Sequence, residues 1–303
     1  MNTTLHCYPT TTGSRRLIKT CFEKAVKLFK MLNSIKQVLK GMDRELPDCR
    51  LPLALSSTGH ESNQVACIAR AKKGYGCFMV PNPYFADLYK WENSETQAAL
   101  ENTRWEDKHN DVFYRGACRI DYDKYGSLQR FNLMSLKSSV LDIGWTRNAG
   151  TAKCIRALTS EPQMQQHHLN SIKVRVKEDE FTKHKFLLSM PGSTRGSYSR
   201  HLQKLWSKGS IVLLWENDAQ EWYYEHLVEG KTHITVNEST LVPTIEHVLQ
   251  LPPSEQEQLI IAAKEVFQKL LSKEAISMRW LEAFQHFCPE GGNHTFEDGH
   301  CSE

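Results

Sequence analysis

Lys183-His-Lys-Phe-Leu-Leu-Ser-Met-Pro-Gly192 runs through Ser193-Thr-Arg-Gly-Ser-Tyr-Ser-Arg200 and Leu202–Ser210 into Ile211-Val-Leu-Leu-Trp215. Phe186–Met190 and Ile211–Leu214 are short, unbroken apolar runs, the pattern of strands covered on both faces. The first stops at Pro191-Gly192, and the second starts after Gly209-Ser210, so a glycine loop and a helical segment separate them. Asp111-Val-Phe-Tyr-Arg-Gly116 repeats the pattern upstream, again closing on Arg and Gly, residues that let a phosphorylated ligand meet guanidinium and backbone together. Downstream, Glu221-Trp-Tyr-Tyr-Glu-His-Leu227 reads as a helix and Lys231-Thr-His-Ile-Thr-Val236 as a further strand. Strands alternating with helices predict a parallel α/β sheet containing Val112–Tyr114, Phe186–Met190 and Ile211–Leu214.

Working outward, the 303 residues are enough for two domains. With 38 Lys and Arg against 35 Asp and Glu, the chain has no general basic footprint for nucleic acid. Charge is uneven only from Arg15 to Lys40, where Ile18, Phe22, Ala25, Phe29 and Leu32 recur at helical spacing and Glu23 is the sole acid. This predicts an amphipathic surface helix with a solvated basic face, the alternative being a helix lying on a membrane surface. No apolar run is long enough to span a bilayer, and Asn2–Thr12 is too polar for a secretory leader.

Leu46–Leu55 and Cys77–Val80 read as strands of an N-terminal half, Glu92–Lys108 as a helix, and Ser127–Ser139 as a helix of the C-terminal half. Ala149–Glu180 is polar and offers no clear period, while Ser254 and Glu257 form a capping box before a helix carrying Leu259, Ala263, Val266 and Leu270. The expected division is a basic helical region over 1–45, an acceptor-side half over 46–110, a donor-side half with closing helices over 111–287, and a frayed tail over 288–303. Trp215, Trp222 and Tyr223 are expected in the core. Nine scattered cysteines lack a Cys-x-x-Cys pair, which argues against zinc, and an odd number argues against a framework made purely of disulfides. Asn2, Asn237 and Asn293 begin glycosylation sequons.

From about Leu46 to Phe287 the order of motifs resembles glycosyltransferase family 90, which holds the protein O-glucosyltransferases and fungal capsule xylosyltransferases. Tyr114-Arg115-Gly116, with Arg119 and Arg130 downstream, resembles the family's Phe-Arg-Gly strand end and following arginine. Lys183-His-Lys-Phe186 with Gly192, Leu202–Leu214, Glu221-Trp-Tyr-Tyr224 and His233-Ile-Thr-Val236 are similar to its later elements in their order. The resemblance implies two Rossmann-like halves of the GT-B type with the donor in a cleft between them. It implies inverting transfer of glucose or xylose from a UDP-sugar to a hydroxyl of a protein or glycan, without a cofactor, and residence in the endoplasmic reticulum or Golgi lumen.

Such a reaction needs the departing diphosphate stabilised, by a divalent metal or by arginine and helix-terminal amides. Asp121-Tyr-Asp123 is the nearest approach to a metal-binding Asp-x-Asp, set between Arg119 and Lys124 like a solvated loop, so no metal is expected. The resemblance instead implies donor contacts from Arg115, Gly116, Arg119, Arg130, Gly192, Ser199, Arg200 or His201, and Gly209, with Glu221 accepting from the ribose. The plainer alternative for Arg115 is an ion pair, and for Glu221 an ordinary acid at a helix start. The family's base aligns with Ser57, whose hydroxyl cannot take a proton near neutral pH; His60 and Glu61 are the replacements within reach. A donor-binding relative without turnover is the alternative function. A generic nucleotide enzyme is disfavoured by the absence of Gly-x-Gly-x-x-Gly and P-loop sequences.

Overall fold

The computed structural model describes residues 15–49, 51–55, 62–69, 76–100, 103–118, 125–192 and 201–288. Two units divide these residues. The first takes the described residues up to Ser94, Ala219–Glu225 and those from Lys269 onward; the second takes Glu95–Asp218 and His226–Gln268. The division falls at Ser94/Glu95, and the chain returns to the first unit twice, so neither unit is one continuous segment.

In the first unit, α1 (Arg15–Gly41) buries Ala25, Leu28, Met31, Leu32, Ile35, Val38 and Leu39, a stripe at three- and four-residue spacing, and it packs on α9 (Lys273–Phe287). The predicted basic helix is therefore present. Three two-residue strands, β1 (Leu53–Ala54), β2 (Ala66–Cys67) and β3 (Phe78–Met79), pair in parallel in that order. The strand expected over Leu46–Leu55 shrinks to β1 because Pro47 and Pro52 have no N–H for a ladder. Ser272 caps α9 by accepting from the Ala275 amide, and Trp91 Nε1 donates to Leu271 O at 2.9 Å. Here Glu221-Trp-Tyr-Tyr224 is not a helix. It passes through a turn into a single 3-10 turn, Tyr224–His226, too short to repay helix nucleation, while Trp222 and Tyr223 are buried as expected.

The second unit carries a six-stranded sheet, β4 (His109–Gly116), β5 (Leu141–Thr146), β6 (Ile172–Lys173), β7 (His184–Ser189), β8 (Ile211–Trp215) and β9 (Ile234–Val236). Every adjacent pair is parallel, in the spatial order β6-β5-β4-β7-β8-β9. The three strands read from sequence are thus neighbours in one parallel sheet. Alternation explains their unbroken apolar runs. Val112, Tyr114, Phe186, Leu188, Ile211 and Leu213 share one core with Phe131, Leu133, Met134, Trp145 and Ile155, while Phe113, Leu187 and Val212 are buried on the opposite face.

The helices of this unit include α3 (Tyr125–Ser135), α4 (Thr151–Leu158), α5 (Pro162–Asn170), α6 (Leu202–Leu205), α7 (Leu241–Gln250) and α8 (Pro253–Leu270), and α2 (Leu88–Leu100) spans the division between the units. The stretch without a clear period thus contains α4, α5 and β6. Ser254 lies inside the first turn of α8, not at its N-cap, because Pro253, whose missing N–H costs nothing there, opens the helix.

Among the described residues six cysteines pair, as Cys49–Cys288, Cys67–Cys77 and Cys118–Cys154, with Cα–Cα distances of 6.2, 5.8 and 5.8 Å. The first two bridges lie in the first unit and the third in the second unit. Among the described residues, no helix is long and apolar enough to cross a membrane.

Candidate functional site

The strand order reverses direction at one place. From β4 the chain moves outward to β5 and β6, then returns to the other side of β4 with β7 and proceeds to β8 and β9. Connections diverge at such a point, leaving a crevice beyond the carboxyl ends of the two central strands, where open parallel sheets take their ligands. Gly116 ends β4, and Met190-Pro191-Gly192 follows β7.

Arg130 bridges the segments that follow these two strands. From α3 its Nη1 donates to Ala117 O at 2.7 Å and its Nη2 to Pro191 O at 2.6 Å, joining the residues that follow the two strands. The residue is 8% exposed, its buried Nε has no partner, and among the described residues no carboxylate pairs with it. A buried cation held only by neutral carbonyls is costly and is relieved by an anion. Tyr114 folds over the end of β4, and a Cβ on Gly116 would lie 2.0 Å from its hydroxyl, which is why glycine stands there. Burial raises the Tyr114 hydroxyl above its ordinary pKa, and the Arg130 charge pulls it the other way.

Arg115 is placed differently. Its Nη2 donates to both carboxylate oxygens of Asp142 at 2.8 Å, and its Nη1 donates to Asp142 O at 2.7 Å and Tyr114 O at 3.0 Å, over the Phe113 ring. Those four bonds use every Nη hydrogen, and only the buried Nε has no partner. Asp142 is the second residue of β5, so the guanidinium is drawn back toward the amino edge of the sheet.

His201 and Gly209 also lie away from the crevice. The His201 ring packs on Phe181, which precedes β7, at 4.5 Å, and burial lowers its pKa to about 4, with Lys204 and Lys208 acting in the same direction against Glu178. Gly209, with φ of +62°, turns the chain into the amino end of β8. Beside it, the Lys208 ammonium is buried against Glu95 at 2.9 Å, and Lys108 donates to Thr182 O, Lys208 O and Ser210 Oγ. These groups fasten the amino edge. Glu221 belongs to the first unit, where Asn82 Nδ2 donates to its carboxylate at 3.0 Å. Ser57, His60, Glu61, Arg119, Asp121, Asp123, Ser199 and Arg200 lie outside the described residues.

Among the described residues, one set of side chains that the sequence reading did not bring together could hold a cation: Asp111, Asp142 and His184, whose ligand atoms lie within 4.8 Å of one another. They already satisfy each other and Arg115, since His184 Nδ1 is 2.6 Å from Asp111 Oδ1 and Asp142 is engaged by the guanidinium. A metal there would have to displace an arginine. The alternation Leu141, Ile143, Trp145 was the signal that could have placed Asp142 on a strand beside Arg115.

No protein-family model and no curated protein matches the chain. Among solved structures, HepE of Anabaena in complex with UDP and glucose is 11% identical with a TM-score of 0.40, over 63% of this chain and 52% of that one. A glycosyltransferase from Rickettsia africae is 12% identical with a TM-score of 0.45, over 75% and 64%. A sucrose-phosphate synthase from Thermosynechococcus elongatus is 12% identical with a TM-score of 0.41, over 64% and 48%. This chain therefore spans less than two thirds of each of them. Overlaps this loose leave the function to the residues themselves.

Proposed function

We propose that the protein is a glycosyltransferase that binds the diphosphate of a UDP-sugar at the crevice between β4 and β7. The observation that carries this reading is Arg130, a buried guanidinium that has no acidic partner among the described residues, at the point where the sheet reverses. Bidentate hydrogen bonding to phosphate oxygens suits such a group, and its charge can stabilise the departing diphosphate as a metal does elsewhere. The motif order resembling family 90 adds the finer reading: inverting transfer of glucose or xylose to a protein or glycan hydroxyl, with neither metal nor cofactor. Three disulfides support an oxidising compartment such as the endoplasmic reticulum or Golgi lumen. Ser57 in place of the carboxylate base favours a second reading, a relative that holds the donor without turning it over.

Calorimetry of UDP binding to Arg130→Lys and Arg130→Gln tests the site, with circular dichroism to confirm the fold. Losing a charge-assisted phosphate contact costs about 1.5–3 kcal/mol, so Arg130→Gln should bind at least ten times more weakly, and chelation of divalent metal should change nothing. Unchanged affinity in a folded Arg130→Gln protein would remove the donor-site assignment. Radiolabelled transfer to hydroxyl acceptors, with and without Ser57→Asp, separates the two functional readings: a gain in the variant supports the donor-holding one.

A further inference from the structure

At the carboxyl end of β4, three consecutive residues do different work. Gly116 makes room for the Tyr114 ring, Ala117 offers its carbonyl to Arg130, and Cys118 is bonded to Cys154 in α4. Both sulfurs are in the core, with Cys118 and Cys154 each 2% exposed beside Phe131 and Met190. The far end of the bridge is itself anchored, because Thr151 Oγ1 donates to the carbonyl of Thr146, the last residue of β5, at 2.9 Å and accepts from the Asn148 amide at 3.2 Å. A covalent brace thus joins the segment that follows β4 to α4, the helix that follows the neighbouring strand β5, one residue from an oxygen that aims Arg130.

We propose that the Cys118–Cys154 bridge is a positioning element of the anion site, holding the Ala117 carbonyl so that Arg130 keeps its geometry across the crevice. Its effect on ligand rests on the donor-site reading above; its effect on β4 and α3 does not. Cutting the bridge frees the Ala117 peptide to turn, and Arg130 then keeps only the Pro191 carbonyl.

The test compares the full chain with Cys118→Ser/Cys154→Ser and, as a control for general loss of a crosslink, Cys67→Ser/Cys77→Ser in the first unit. Amide hydrogen exchange over residues 113–118 and 128–133 should quicken in the first pair and stay unchanged in the control. UDP and inorganic pyrophosphate should bind about tenfold more weakly to the first pair alone, the weight of one hydrogen bond to a charged group. Unaltered exchange at 113–118, or equal weakening of binding in the control, overturns the proposal. If the native chain binds neither probe, the donor-site reading fails and exchange alone decides the positioning role. Should the serine pair not fold, the native chain is followed before and after mild reduction, with bridge state read by alkylation mass, and the same two outcomes apply.

Discussion

Gly116 shows how little freedom a strand end can leave to one residue. With a Cβ only 2.0 Å from the Tyr114 hydroxyl, Gly116→Ala must swing a buried ring. Overpacking of this kind costs about 1–3 kcal/mol, which a urea titration should register as a lower midpoint at unchanged slope. Arg115 and Arg130 make the complementary comparison, two arginines with similar claims on a phosphate in the sequence and opposite surroundings in the fold. Asp142→Asn should destabilise the chain by about 1–2 kcal/mol, reduced from a fully buried pair because the Asp142 side chain is 36% exposed, and should leave UDP affinity within twofold. A tenfold loss in calorimetry would mean that the Arg115 pair, not Arg130, supports the ligand. Arg115 was visible in the sequence but its partner was not, because an ion pair across 27 residues depends on a strand pairing that no local pattern reveals. Arg130 was named only through the resemblance to a family; its burial, and the absence of a countercharge among the described residues, belong to the folded chain.

At the scale of elements, continuous apolar runs made β4, β7 and β8 legible, since both of their faces are covered. β5 escaped because Asp142 and Gly144 interrupt it, and the aromatic segment at Glu221 was misread because burial of Trp222 and Tyr223 does not require a helix. The packing of α3, α4 and α5 also contains a titratable group that sequence could not flag. His168 is fully buried against the Phe131 ring at 3.6 Å, accepts from Trp145 Nε1 and meets Ser135 Oγ at 3.2 Å. Burial, and then the neighbouring His167, lower its pKa to about 4 from an ordinary 6.5. Between those values the unfolded chain takes up a proton that the folded chain refuses, so stability is lost as pH falls from about 6.5 toward 4 and is complete above. His201 works in the same direction over the same range. Melting temperature should therefore drop across this window, and His168→Gln should show a shallower dependence on pH whatever its absolute stability; an unchanged slope would reject a neutral His168.

For the whole molecule, the parallel sheet of the second unit follows from the alternation of apolar runs, whereas a parallel sheet in the first unit was expected only through the resemblance and the return of the chain to that unit was not expected at all, because local patterns carry no record of a return. The three bridges were equally hidden, their partners lying 10, 36 and 239 residues apart. Chain-entropy reasoning ranks the two in the first unit. Opening Cys49–Cys288 should cost about 2–3 kcal/mol more than opening Cys67–Cys77, seen as a larger fall in melting temperature for Cys49→Ser/Cys288→Ser than for Cys67→Ser/Cys77→Ser. A larger fall for the short loop would place native-state strain above loop closure.

The longest of these bridges sets a timetable for biosynthesis. At roughly 5–20 residues per second, Cys288 is polymerised some tens of seconds after Cys49, while Cys67 and Cys77 emerge almost together. Throughout that interval Cys49 is a thiolate-capable side chain on a nascent chain whose α9, the helix that α1 packs against, does not yet exist. The correct partner arrives last, so fidelity at Cys49 depends on exchange chemistry that can undo an early mispairing with Cys67 or Cys77, and refolding of the reduced chain should need a thiol–disulfide redox pair to reach full yield.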